Sequence, residues 1–417
     1  MEVPEPVVVD ERVPEAEPAN RLDVAQRAAP HLASFVASLA SLLVRTAPAW
    51  VYLWVRAIGL LVLRWQAGVD DTTLGTALSK WDGLWMLGIS LGGYDHTPPG
   101  LQDAFGHRYP ETPLAFFPGY PAAVGTLRYV TGMPALVAGL TVSLIAGVVM
   151  AHGLARLGEL VPGGSRRVGL MLVALVAAAP MGIVWSMTYS EGLFCAAAVW
   201  ALVALLRRQW VLAGVCTALA GTVRPTGAAL LLAVGGALLL VALRRRDGWR
   251  PWAGGAIAPL GLLGYLAFVA RHGAGPAGGW FGVQQRGWNS HFDAGAATVK
   301  FTREVLASGR SVLEVGTVLV LAGGLVLLAV SARQALSGAL PWPLVVYAAG
   351  VLVMDLGSNG LMNSKARLLL PAVTLLVPVA VALGRRRPIT AVSVLVSAAL
   401  LSAWFGGYAL TGWSYAI

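Results

Sequence analysis

Long unbroken apolar runs, separated by short polar turns, set the pattern of this chain. A bilayer-spanning helix needs about 20 apolar residues. Runs near that length or somewhat shorter occur at 46–64, 134–155, 168–187, 190–206, 209–223, 226–243, 252–271, 311–332, 341–357, 366–384 and 388–408. They do not alternate with a period of two, so the pattern predicts α-helices rather than a barrel. Arg224-Pro225 divides what would otherwise be one overlong run, because proline ends a helix. The expected fold class is therefore an all-α polytopic membrane protein of about eleven transmembrane helices.

Two segments are too long to be simple connectors, 65–133 and 272–310, and long ordered loops are commonly functional. In the first, Leu74, Leu78, Trp81 and Trp85 recur at helical spacing, which predicts an amphipathic juxtamembrane helix. Asp70 and Asp71 precede it as candidate N-caps. The run at 116–130 predicts a second such helix, interrupted by Pro118 and Pro121. Residues 31–44 are expected either at the interface or as an extension of the first span.

Composition agrees with this pattern. The chain has 417 residues, 57% hydrophobic and 12% charged, with a mean hydropathy of +0.70. Soluble domains are about 45–50% apolar and about 25% charged, so a water-soluble enzyme is excluded. Residues 1–29 carry seven acids against three arginines, without helical periodicity, and predict a disordered cytoplasmic tail. Residues 30–417 are then a single membrane domain. The net charge of +10 is carried by arginines in short turns: Arg156, Arg166 and Arg167; Arg207 and Arg208; Arg244, Arg245, Arg246 and Arg250; Arg333; and Arg385, Arg386 and Arg387. This is the distribution of the positive-inside rule, not of nucleic-acid binding. It predicts a plasma-membrane protein with a cytoplasmic N-terminus and an extracytoplasmic C-terminus.

The polar residues without a simple structural reason fall on the opposite side. They are Asp82 and Asp95; Tyr189, Ser190 and Glu191; Arg224; Gln284, Gln285, Arg286, Trp288, Asn289, His291 and Asp293; and Asp355, Asn359, Asn363, Lys365 and Arg367. Five outer connections thus supply one surface, the layout of an active site at the outer leaflet. Arg56 lies mid-span, where a charge costs ~2.5–3.5 kcal/mol, and is a functional candidate on that ground. Cys195 and Cys216 lie within apolar runs and form no disulfide framework. The six histidines lack ligand spacing, so no metal site is expected. No nucleotide-binding fingerprint is present, and no cofactor is expected.

Several of these positions form ordered motifs. Trp81-Asp82-Gly83-Leu84-Trp85, Gly93-Tyr94, Phe116-Phe117-Pro118-Gly119-Tyr120-Pro121, Tyr189-Ser190-Glu191-Gly192-Leu193-Phe194, Arg224-Pro225-Thr226-Gly227, Gln284 with Trp288-Asn289, and Arg367-Leu368-Leu369-Leu370-Pro371 follow one another in that order. Together they resemble the PIG-V-type mannosyltransferases. The Ala-, Gly- and Arg-rich composition is that of a bacterial member. The resemblance implies a fold of the C-type glycosyltransferases (GT-C) and a polyprenyl- or dolichyl-phosphate-mannose donor. It also implies Asp82 as the catalytic carboxylate.

On that reading Asp82 is the base that activates an acceptor hydroxyl in an inverting single displacement. Arg224, Arg286, Lys365, Arg367 and Arg56 are the candidate ligands of the donor phosphate. Trp81, Trp85, Tyr94, Tyr189, Glu191, Gln284, Trp288 and Asn289 are the candidate sugar- and acceptor-binding residues. The implied partners are the donor lipid, a glycan, glycolipid or protein acceptor, and membrane lipids. The alternative is a transporter or flippase of a lipid-linked or small solute, which would carry ionisable residues on broken helices near the midplane.

Overall fold

The computed structural model describes residues 21–417 apart from 246, 273–277 and 309, with the backbone alone for residues 21–43. About 75% of the described residues are helical. Among the described residues the only β-type pairing is an isolated bridge between Phe292 and Ser358. It is an all-α membrane protein. The chain divides into a unit over Met1–Ala47 and a larger one over Pro48–Ile417, which holds the cavities and side-chain contacts described below.

The helices are α1 (Arg21–Val69), α2 (Leu74–Leu78), α3 (Asp82–Gly92), α4 (Gly119–Thr131), α5 (Ala135–Leu160), α6 (Arg166–Ala177), α7 (Glu191–Leu206), α8 (Trp210–Gly221) and α9 (Gly227–Leu243). After them come α10 (Arg250–Ile257), α11 (Leu260–His272), α12 (Gly279–Trp288), α13 (Ala296–Ser308), α14 (Val312–Leu336), α15 (Trp342–Gly357), α16 (Lys365–Leu368), α17 (Val377–Gly384) and α18 (Pro388–Leu410). The apolar runs of the sequence fall on helical segments, but 168–187 is α-helical only to Ala177 and then passes through a turn into a short 3-10 helix, Gly182–Ser186, and the lengths of the others differ. Among the described residues five helical segments are long and apolar enough to cross a membrane: Val44–Val69, Ala135–Leu160, Arg250–His272, Val312–Leu336 and Pro388–Leu410. A sixth is the pair Met362–Leu368 and Val373–Gly384, bent by 64°. The helices α7, α8, α9 and α15 are apolar but shorter.

Residues 21–29, assigned by composition to the tail, are helical within α1, while residues 1–20 lie outside the described ones. The expectation for residues 31–44 falls on positions where only the backbone is described, and that backbone is helical up to the start of the Val44–Val69 span.

The core is centred on α7, which is apolar all round and so must be covered on every side. Phe194, Cys195, Val199 and Leu202 on it have no exposed surface. Small residues let the neighbouring helices approach closely, as interfaces in lipid require. A Cβ on Gly214 would lie only 2.2 Å from the carbonyl oxygen of Gly254, so α8 and α10 touch backbone to backbone. Outward-facing residues such as Trp54, Leu61, Leu232, Leu319 and Leu401 are exposed. Lipid, not water, is the solvent that suits them. Two arginine-bearing turns meet at one end of the bundle, where Arg167 donates to the carbonyl of Arg386 at 2.7 Å.

The first long connection folds as three short α-helices, with a 3-10 turn over Thr112–Ala115 before the third. The expected amphipathic helix breaks at residues 79–81 into α2 and α3, and Thr73 rather than Asp70 or Asp71 caps α2 by accepting from Thr76 N–H at 3.1 Å. The second expected helix is α4, with Pro121 in its first turn, where proline loses no hydrogen bond.

Candidate functional site

The position of Asp82 is fixed by the turn that precedes it. Trp81 has φ 53° and ψ −116°, a conformation that non-glycine residues avoid and that persists only where surroundings over-determine it. Those surroundings are visible. Thr188 N–H donates to Leu78 C=O at 3.0 Å. Tyr189 O–H donates to Lys80 C=O at 3.2 Å, and Lys80 Nζ donates to Leu410 C=O at 2.7 Å. Burial, and then the charge of Asp82, push the Tyr189 phenol well up, so it keeps its proton and remains a donor. Gly83 allows this closeness, because a Cβ there would sit 2.5 Å from Thr188 Oγ1. The result is a carboxylate in the first turn of α3, where the helix dipole favours negative charge.

Asp82 is the first of four charged side chains that form a chain. Arg367 Nη1 bonds Asp82 Oδ2 at 2.6 Å. The same guanidinium has Nε 3.6 Å from Glu191 Oε1 and its Cζ 5.0 Å from the centre of the Tyr189 ring. Arg224 Nη1 is 2.8 Å from Glu191 Oε1 and donates to Ser190 Oγ at 2.9 Å. Glu191 has no exposed surface. A carboxylate buried that deeply is tolerable only with paired charge, and two arginines supply it. The break between α8 and α9 at Arg224-Pro225 is what frees Arg224 from a regular helix to reach Glu191.

A second charged pair lies beside the first. Lys365 Nζ donates to the carbonyls of Asp355 and Ser358, the latter at 2.8 Å, at the end of α15, where a cation suits the dipole. It stands 4.0 Å from Asp355 Oδ1. Both carboxylate oxygens of Asp355 are buried without a hydrogen-bond partner.

These groups share a cavity of about 440 Å³. Its polar wall carries Asp82, Ser190, Arg224, Asp355, Lys365 and Arg367, and its apolar wall carries Phe116, Phe117, Leu262, Leu266, Trp280, Phe281 and Trp288. The apolar wall depends on a stretch, 113–118, that begins in a one-turn 3-10 helix, Thr112–Ala115, and whose carbonyls need partners if they are to lie in an apolar setting. They find them. Tyr94 O–H and Tyr265 O–H donate to Phe116 C=O at 2.8 and 2.7 Å. Trp280 Nε1 and Gln284 Nε2 each donate to Ala115 C=O at 3.1 Å. Trp85 stacks on Phe116 at 5.4 Å, and Trp288 meets it edge-on at 5.6 Å. Gly119, at the end of this stretch, lies so close to the α8–α9 break that a Cβ would be 2.9 Å from Thr222 C=O.

The sequence candidates therefore divide. Asp82, Arg224, Lys365, Arg367, Gln284 and Trp288 line the cavity. Trp81, Trp85, Tyr94, Tyr189 and Glu191 do not line it; they hold those that do. Asn289 is also off the wall, closing α12 as its left-handed C-cap with φ 47°.

Two arginines proposed for the donor phosphate are elsewhere. Arg56 is buried in α1 and donates to Gly182 C=O and, at 2.7 Å, to Ala177 C=O. It satisfies carbonyls freed where α6 ends, which explains a mid-span charge without chemistry. Arg286 pairs with Glu111 and covers the Tyr109 ring at 4.7 Å, off the cavity. Asp293, in the turn between α12 and α13, accepts from Gly295 and Ala297 N–H groups, and the Ala297 bond above all holds its carboxyl below the usual range.

Trp280 was not singled out from sequence, although its spacing of four from Gln284 puts both on one face of α12. The C-terminal Ile417, also on the wall, gives no signal in sequence. Among the described residues no group of His, Cys, Asp and Glu is arranged to hold a metal ion. No family model, curated protein or solved structure matches this chain.

Proposed function

We propose that this protein is an integral-membrane glycosyltransferase that moves a mannosyl residue from a polyprenyl-phosphate-linked donor to a hydroxyl of an extracytoplasmic acceptor. It would do so within a GT-C-like fold of about eleven spans, the shorter apolar helices included. The observation that carries the reading is the placement of Asp82. It is a carboxylate on a cavity wall, ion-paired at 2.6 Å to Arg367, in a cavity that also presents Arg224 and Lys365.

The chemistry follows from that placement. The acceptor oxygen attacks the anomeric carbon while its proton passes to the Asp82 carboxylate. The bond from the anomeric carbon to the phosphate oxygen breaks, and its electron pair leaves with the polyprenyl phosphate. Attack opposite the leaving group inverts the centre, and Asp82 then releases the proton to water. A phosphate is a stable leaving group, so the demand on the protein is positive charge near it rather than a strong acid.

The three basic and three acidic side chains of the site balance. Yet Arg224 and Arg367 line the cavity, while Glu191, which neutralises them, is fully buried and off the wall. The cations thus face the ligand and one of their counter-ions does not. The phenylalanine, leucine and tryptophan wall is suited to a polyprenyl chain. The mannose and the catalytic assignment draw on the motif resemblance. The extracytoplasmic face draws on the arginine distribution.

The test is a reconstituted assay. Wild-type protein in proteoliposomes, given polyprenyl-phosphate-[³H]mannose and a membrane glycan extract, should move label to the extract. Asp82→Asn should lower that rate by about 10²–10⁴-fold, the contribution of a general base, while the variant still melts cooperatively in detergent. Full transfer by the variant removes Asp82 from the mechanism. Label that crosses the vesicle membrane without changing its chemical form supports the transporter reading instead.

A further inference from the structure

A second cavity, of about 260 Å³, lies at the arginine-rich ends of the helices, between the α7–α8 turn and the α9–α10 turn. It is lined by Arg208, Trp210, Asp247, Trp249 and Arg250. Its volume equals several water molecules at about 30 Å³ each, enough for a small polar headgroup but not for acyl chains. We propose that this pocket binds the phosphodiester headgroup of an anionic phospholipid, with Arg208 and Arg250 as the phosphate ligands. The proposal rests on the membrane character of the chain and not on glycosyl transfer.

Charge is the first argument. Among the described residues of the two turns, Arg207, Arg208, Arg244, Arg245 and Arg250 stand against the single acid Asp247, and all six are exposed. Asp247 neutralises one of them, since Arg208 Nη2 lies 3.0 Å from its Oδ2. An excess of four positive charges remains. A guanidinium offers the forked donors that suit a phosphate, whereas the bulk solvent offers these turns nothing that holds a phosphate in place.

The surrounding apolar surface names the source of the phosphate. Trp249 is 69% exposed and Trp252 53% exposed, an arrangement that water disfavours and the headgroup layer favours. Leu243 and Leu212, also exposed, continue an apolar path from the pocket along α9 and α8. A soluble phosphate would use the arginines and leave this surface uncovered. A phospholipid uses both.

The pocket is also held in shape. Arg208, Arg245 and Asp247 all adopt left-handed backbone conformations, with φ of 59°, 53° and 64°. Beneath them the backbone contact of Gly214 with Gly254 locks α8 to α10. The two turns therefore present their arginines on a rigid base, which lowers the ordering cost of binding.

The experiment is native mass spectrometry of the full-length protein in a neutral detergent, titrated with phosphatidylglycerol and, separately, phosphatidylcholine. Phosphatidylglycerol should be retained in preference. The double variant R208Q/R250Q should weaken its retention by about tenfold or more, while R385Q/R386Q, which removes as much charge from another turn, should leave it unchanged. D247N, which frees Arg208, should strengthen retention, so the idea stands or falls even where the double variant folds poorly. Glycerol 3-phosphate should compete only weakly. Equal loss in R208Q/R250Q and R385Q/R386Q would show general surface attraction and overturn the site. Competition by glycerol 3-phosphate as strong as by the lipid would show a small-anion pocket and overturn it too.

Discussion

At the scale of single residues, the informative contrast is between arginines that face the cavity and arginines that do not. Arg367 touches Asp82, Glu191 and the Tyr189 ring at once, so it aligns the carboxylate as well as adding positive charge. Arg385 sits exposed in the α17–α18 turn, away from both. Arg367→Ala should therefore lower sugar transfer by about 100-fold or more, the scale of losing one preorganised electrostatic contact, while Arg385→Ala should leave it within about twofold of wild type. Equal losses in the same proteoliposome assay would contradict the assignment. The sequence exposed Asp82, Arg224, Lys365 and Arg367 because each is a polar residue with no local reason to be where it is. It misled at Arg56 and Arg286 for one physical reason. A mid-span or loop arginine looks unpaired in sequence when its partner is a backbone carbonyl or a carboxylate far along the chain. Gly182, Ala177 and Glu111 are such partners.

Elements explain why the motif glycines matter. Gly83 sits where α3 begins, against the loop that carries Thr188 and Tyr189. Gly83→Ala would push a methyl group into Thr188 Oγ1, which sits against the Leu78 carbonyl at 3.4 Å. Overpacking of this kind costs about 1–3 kcal/mol. A lower melting temperature in detergent, with transfer falling further than stability alone explains, is the expected result; a variant that melts and turns over like wild type would mean that the clamp is slack. Helix positions were legible because apolar runs and Pro225 mark them. The break at 79–81 was not, because Leu74, Leu78, Trp81 and Trp85 keep helical spacing straight through it. That break arises from tertiary hydrogen bonds to Leu78 and Lys80, which come from residues more than 100 positions away.

For the whole molecule, the arginine turns and the cavity define two ends, and the positive-inside rule assigns the arginine end to the cytoplasm. A variant with Cys195 and Cys216 replaced by serine and a single cysteine at Arg386 should react with a membrane-impermeant maleimide only from the cytoplasmic side. One at His107 should react only from outside. The reverse pattern would invert the topology, and with it the proposed face of the active site. Sequence set the helical membrane class and the grouping of polar connections. Among the described residues the runs become five full-length helices, one bent pair and several shorter ones. Run length alone cannot register a 64° bend or a helix that stops early against its neighbours.

The ion pair of Asp82 with Arg367 joins residues 285 positions apart, and this has a consequence for biogenesis. During translation the carboxylate leaves the ribosome long before its counter-ion exists. Glu191 and Arg224 emerge closer together, at the two ends of the segment that holds α7 and α8, and can pair as soon as that segment is made. Asp82 has no such companion until the sixteenth helix is made. The site around Asp82 is thus among the last parts of the molecule to assemble, and a nascent chain halted before that point carries this carboxylate without its arginine.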